Sequence, residues 1–197
     1  STDSEISYTG EDNTNDVASV TMAGVVSLAA SAATETATFT GSEAVTATVT
    51  GNFGTTTDLA GTNDIALVGA KAVLNGEKIT SSGTGTYSVR VTDDIAGAYD
   101  ASKYDNDISV RLDVIGTGDT ITIDSGATVD YRDATGTDVL ELVSSATSVT
   151  LGESLNVVAN AAATLITNGT AGDGTGTDRF ETVNVTSSTV ATTVTAI

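Results

Sequence analysis

The sequence predicts an all-β chain: a β-sandwich, Ig-like or jelly-roll-like, with a C-terminal strand–turn repeat region that is either β-roll- or solenoid-like or a continuation of the sandwich. Three observations predict it. Apolar residues alternate with Thr and Ser at a period of two over most of the chain. The apolar material is Val, Ile, Leu and Ala, with aromatics at only 4%, and β-branched side chains suit a pleated surface. Gly, Asn and Asp punctuate these runs at short intervals, as expected of several short strands joined by turns.

Taken in order, residues 1–16 are polar and acidic without apolar periodicity and predict a flexible acidic arm. Residues 17–30, VASVTMAGVVSLAA, resemble the apolar part of a secretion signal. Asp3, Glu5, Glu11, Asp12 and Asp16 precede them where basic residues would be needed, and Val20, Met22, Val26 and Leu28 alternate with Ser and Thr. A strand of the mature protein fits better, and a chain opening at Ser1 is compatible with removal of an earlier leader. Val45, Ala47 and Val49 predict the next strand. Asn75-Gly76, between short apolar runs, predicts a two-residue hairpin turn. Tyr87, Val89 and Val91, then Ile108, Val110, Leu112 and Val114, predict two more strands, and 94–107 has room for one or two helical turns. Residues 17–115 are thus assigned to the sandwich.

From about residue 116 two half-repeats appear, 119–151 and 153–194. Ile121 and Ile123 correspond to Leu155 and Val157, Gly136-Thr137-Asp138 to Gly176-Thr177-Asp178, and Glu141 to Glu181. A strand–turn–strand unit that cannot bury its face alone is expected to stack on its neighbour. Residues 116–197 are therefore a β-rich repeat region, within the same domain or beside it.

Charge narrows function further. Seven basic residues stand against 26 acidic ones, a net charge of −19. Such a surface repels phosphate backbones and anionic headgroups, so nucleic acid is excluded as a partner. No stretch has the length of a membrane-spanning helix, so membrane insertion is not expected. There is no Cys or His, which removes thiolate chemistry, the usual general base and the usual transition-metal ligand. Serine has no His partner and no G-x-S-x-G elbow, and the basic residues at 71, 78, 90, 103, 111, 132 and 179 are scattered. No enzyme is expected.

Many carboxylates with few internal partners call for an outside counterion, and calcium is the natural divalent candidate. Residues 173–181 fit the frame G-G-x-G-x-D-x-U-x with Asp173 in place of the first glycine, Gly174 and Gly176 permitting a tight turn, Asp178 turned inward to a metal and Phe180 plugging the core. Asp133, Gly136, Asp138 and Leu140 fit it less fully, because Ala134 replaces a glycine. Asp105-Asn106-Asp107 looks like a fragment of a calcium loop without the spacing of an EF-hand. All six aspartates, 105, 107, 133, 138, 173 and 178, also suit ordinary turns and solvated loops. Asn168-Gly-Thr and Asn184-Val-Thr are glycan sequons, common by chance where Thr is abundant.

The runs GTDVLEL and GTDRFETVNVTSS, set in Thr-, Ala-, Gly- and Asp-rich sequence over about residues 116–190, resemble the repeats of secreted bacterial surface-layer and repeats-in-toxin proteins. The tandem nonapeptide run of a regular β-roll is absent. The resemblance implies an extracellular, cell-surface location and a calcium-dependent lattice or coat. The expected function is a structural subunit of a surface layer or filament whose partner is itself. Pairing through strand edges is one route; donation of 17–30, with Val20, Met22, Val26 and Leu28 as pocketed side chains, is another. An adhesin or carbohydrate-binding module, and a virion coat or decoration protein, are the alternatives.

Overall fold

In the computed structural model, which describes residues 4–7, 17–29, 36–50, 56–133, 135–145, 154–166, 180, 182–187 and 193–195, every neighbouring pair of strands runs parallel. β1 (Ser4–Ser7) lies beside β2 (Val17–Ala29), and β2 beside β3 (Thr36–Val49). β3 then serves two neighbours: its first half pairs with β4 (Thr56–Ala60) and its second with β5 (Ile65–Gly69). After the four-residue helix α1 (Lys71–Leu74), β6 (Ile79–Ser81) stacks on β4 and β7 (Tyr87–Asp94) on β5.

From there the chain winds between two sheets. β7, β9 (Ile108–Val114), β11 (Thr128–Asp133), β13 (Ser154–Ala159) and β15 (Thr182–Ser187) extend the first. β8 (Ala98–Ala101), β10 (Thr117–Ile123), β12 (Thr135–Ser144), β14 (Ala162–Ile166) and β16 (Thr193–Thr195) build the second. One coil advances 19 residues from Ser109 to Thr128 and 28 from Asn156 to Asn184. This is solenoid stacking: each turn of chain hydrogen-bonds the turn before it and covers its apolar edge.

The period-two pattern supplies the core. Ala47, Leu67, Val89, Val110, Val129 and Val157 share one register column of the first sheet, and all are at most 1% exposed. Tyr99, Ile121 and Leu142 form a matching column in the second sheet. Each fully buried aliphatic side chain contributes roughly 1.5–3 kcal/mol, so the valine column alone is a large share of what holds adjacent coils together.

The sandwich expected for residues 17–115 does not describe this pairing. Its strands enter the same two parallel sheets as those of 116–197, and no antiparallel pair occurs among the described residues. Alternation reports which face is buried, and it is the same whether the neighbouring strand runs up or down. The hairpin expected at Asn75-Gly76 is also replaced. Asn75 closes α1, donating its N–H to the Lys71 carbonyl at 2.9 Å, and Gly76 takes φ +74°. Both then dock on β8: Asp100 N–H donates to Asn75 Oδ1 at 2.7 Å, and Gly76 N–H to the Asp100 carbonyl at 2.8 Å. The short Asn-Gly unit thus serves as a helix stop.

α1 occupies the place below β8 that a strand of the second sheet would fill. Gly69 allows it to approach: a Cβ there would stand 3.0 Å from Val49 Cγ2 and 3.2 Å from Leu74. β4 and β6 form a third row that ends at a single bridge between Ile79 and Tyr104. Tyr104 fills the interior at that point, donating to the Leu74 carbonyl at 2.7 Å and accepting from Tyr99 Oη at 2.6 Å. Burial pushes both phenols up, well out of the physiological range.

Candidate functional site

The passage from the first sheet into the second turns on Gly and Asp. Asp119, 2% exposed, accepts the backbone N–H of Gly97 at 2.8 Å and of Gly116 at 2.6 Å. These donors lie in successive corners, ahead of β8 and β10, so one carboxylate ties two coils. The next residue, Thr120, donates its N–H to the Gly97 carbonyl at 2.8 Å. One coil on, Asp138 repeats the placement: it is 7% exposed, Thr117 Oγ1 lies 3.4 Å from Asp138 Oδ1, and Val139 N–H reaches the Gly116 carbonyl at 3.2 Å. Leu140 and Phe180, the two expected plugs, are both buried. Asp119 escaped the sequence reading, although Gly116-Thr117-Gly118-Asp119 carries nearly the same signal as Gly136-Thr137-Asp138.

Asp105 and Asp107 come together on one serine of the preceding coil. Ser81 donates its N–H to Asp105 Oδ2 at 2.8 Å and its hydroxyl to Asp107 Oδ1 at 2.6 Å. Nearby, Asp58 accepts Ser82 Oγ at 2.7 Å and Thr80 Oγ1 at 3.2 Å. Asp133 pairs in register with Val114 at the end of β11, while Asp173, Asp178 and Asn168 lie outside the described residues. Among the described residues, no three acidic side chains gather as a metal centre would require. Serine hydroxyls and backbone amides are the partners that the structure gives Asp105, Asp107 and Asp119.

The outer face of the first sheet is a set of ladders. One runs through Thr46, Ala66, Ser88, Ser109, Thr128, Asn156 and Asn184. At its end Asn184 Nδ2 donates to Asn156 Oδ1 at 3.2 Å, the side-chain stacking that in-register parallel strands favour. The neighbouring column runs from Glu5 through Ser27, Thr48, Val68, Arg90, Arg111, Asp130 and Val158 to Thr186. Stacking Arg90 directly on Arg111 would be repulsive, and Asp113 relieves it by accepting from Arg90 Nε at 2.7 Å and Arg111 Nε at 2.8 Å. Burial alone would raise the Asp113 carboxyl, but the two guanidinium groups together hold it below its ordinary value. Asp130 receives Arg132 at 2.6 Å and Asn160 Nδ2 at 2.7 Å. An open groove beside these columns is lined by Ala44, Thr46, Asp64, Ala66, Thr86 and Ser88.

At the ends the ladder changes character. Val183 and Val185 stand over Leu155 and Val157, which are fully buried, yet are themselves only partly buried. Among the described residues β15 is paired on one side only, to β13. Val20, Met22, Val26 and Leu28 lie in β2, which is paired within the chain to β1 on one side and β3 on the other. Asn184 of the second sequon is exposed on the outer face of β15. No helix among the described residues is long and apolar enough to cross a membrane. No family model, curated protein or solved structure matches the chain.

Proposed function

We propose that the chain is a non-enzymatic structural subunit of an extracellular assembly, a surface layer or filament, that associates with itself through the edges of its parallel sheets. The observation that carries this is the state of β15, which offers a strand edge together with two half-covered valines. Unpaired N–H and C=O groups beside apolar surface form a template for another strand. β15 has no Lys or Pro to block it. Donation of residues 17–30 is the less favoured route, because β2 already has partners on both sides within its own chain.

Calcium enters this reading as the ion that screens a chain of net charge −19, with Asp105 and Asp107 as its first candidates on the surface. The test is sedimentation and electron microscopy of concentrated protein with calcium, with magnesium and with chelator. Ordered particles that need no other component are the expected result. A monomer at every concentration and in every ionic condition refutes it. The open groove favours one rival, a carbohydrate-binding module, since its hydroxyl-bearing rim suits sugar oxygens. Retention on a glycan column by a protein that stays monomeric would select that rival. A virion coat role shares the same assembly physics.

A further inference from the structure

We propose that copies of this chain join head to tail, the β15 edge of one receiving the β1 edge of the next in the register that the sheet already carries. This rests on the self-assembly reading above and adds the polarity of the joint and the residues that meet there.

β1 and β15 are the two ends of one nine-strand path, and every step along that path is parallel. A joint that keeps strand direction must therefore bring opposite ends together; two copies meeting by the same end would set β15 antiparallel to β15. The register is equally determined. Ser4 and Val185 end one column, Glu5 and Thr186 the next, and these columns run unbroken from one end of the path to the other. One further step of the same ladder places Thr186 of one copy beside Glu5 of the next.

The partly buried Val183 and Val185 indicate what that step accomplishes. The residues below them, Leu155 and Val157, are 0% exposed because a following coil covers them. Among the described residues no strand follows β15 in this sheet, and β1 of a second copy supplies one. The outward side chains of β15, Thr182, Asn184 and Thr186, are exposed and uncharged, so this side of the seam sets no like charge against Glu5 of the next copy. Because the two surfaces differ, the contact is heterologous and leaves each end free for another copy, which yields a polar filament.

The chain has no cysteine, so introduced thiols report the joint directly. Full-length Glu5→Cys and Thr186→Cys are made separately, mixed under assembling conditions and oxidised mildly. Adjacent strands lie about 4.8 Å apart, within the Cα separation a disulfide spans. The expected result is a disulfide between the two different variants, mapped by peptide mass spectrometry in the sedimenting fraction. Thr182→Cys, four residues out of register, should link at least fivefold less, and circular dichroism checks that each variant keeps its β content. Sedimenting particles without the Glu5–Thr186 link, or with Thr186→Cys joined mainly to itself, overturn the head-to-tail joint and leave self-assembly standing. Absence of particles for the unmodified protein overturns both.

Discussion

Replacing Asp119 tests whether the buried corner carboxylate holds successive coils together. Its two oxygens accept N–H groups from Gly97 at 2.8 Å and Gly116 at 2.6 Å, and the residue is 2% exposed. A hydrogen bond to a charged group contributes roughly 1.5–3 kcal/mol, and a buried donor left without a partner costs a similar amount. Asp119→Ala orphans both donors, so the loss should be about 3–6 kcal/mol. Asp119→Asn keeps one acceptor and turns an NH2 toward the other amide, for a loss of about 2–4 kcal/mol. Urea unfolding at pH 7 measures the total, and amide exchange at Gly97 and Gly116 localises it, since a stacked-coil protein can open one coil at a time. Acceleration should centre on those two amides. A loss below about 1 kcal/mol for Asp119→Ala, or unchanged exchange at both glycines, would refute the assignment.

Three other outcomes are expected. A Cβ on Gly83 would collide with the Gly61 backbone and Tyr87 Oη, where Thr84 N–H and Tyr87 Oη each donate to the Gly61 carbonyl at 2.8 Å; Gly83→Ala should cost about 3–5 kcal/mol. Gly97→Ala meets open space at φ +97° and should cost only about 1–2 kcal/mol, so equal losses in urea melts would count against the stacked-turn account. Burial raises the carboxyls of Asp124 and Glu77, the latter only partly offset by Lys103, so ionising them costs stability that returns as pH falls through their folded pKa values. Asp113 has the opposite sign: its contribution is present above the ordinary carboxylate pKa of about 4 and is lost as pH falls through its lowered value. The melting temperature should therefore rise as pH falls from 7 toward the ordinary carboxylate range and fall again at more acidic pH; Asp124→Asn should flatten the rise, and a steady decline from pH 7 would contradict the assignment. Finally, Thr186→Glu should raise the concentration needed for assembly, and Thr186→Lys lower it, each roughly 2–5-fold by sedimentation, because Glu5 ends the same column; equal effects of the two charges would argue against that register.

The inward columns were legible in the sequence because burial imposes a period of two wherever one face is covered. Val45, Ala47 and Val49, or Ile108, Val110 and Leu112, can be read off directly. Strand direction was not legible, since the pattern for a buried face is identical in parallel and antiparallel pairs. A recurrence of turn residues every twenty or so positions, as in Gly61-Thr-Asn-Asp, Gly83-Thr-Gly-Thr and Tyr104-Asp-Asn-Asp, was the available clue to coils rather than hairpins. Asn75-Gly76 misled because the φ > 0 that a hairpin demands is also what a helix stop demands. For the candidate site, Asp138 was singled out from its Gly-Thr-Asp context. Asp119 lies in the same local pattern, but it needed the three-dimensional neighbour, Gly97 a whole coil away, to be recognised.

The third row ends at Tyr104, and this has a mechanical consequence. The coil of β6, β7 and β8 is lined by three rows of strand, and the coils after it by two. In the proposed head-to-tail joint, only the wall containing β1 and β15 would be continuous by register. Such a seam resists stretching along that wall and yields more readily to bending across it. A fibre of these subunits would behave as stiff rods linked by compliant couplings, with its curvature concentrated once per subunit.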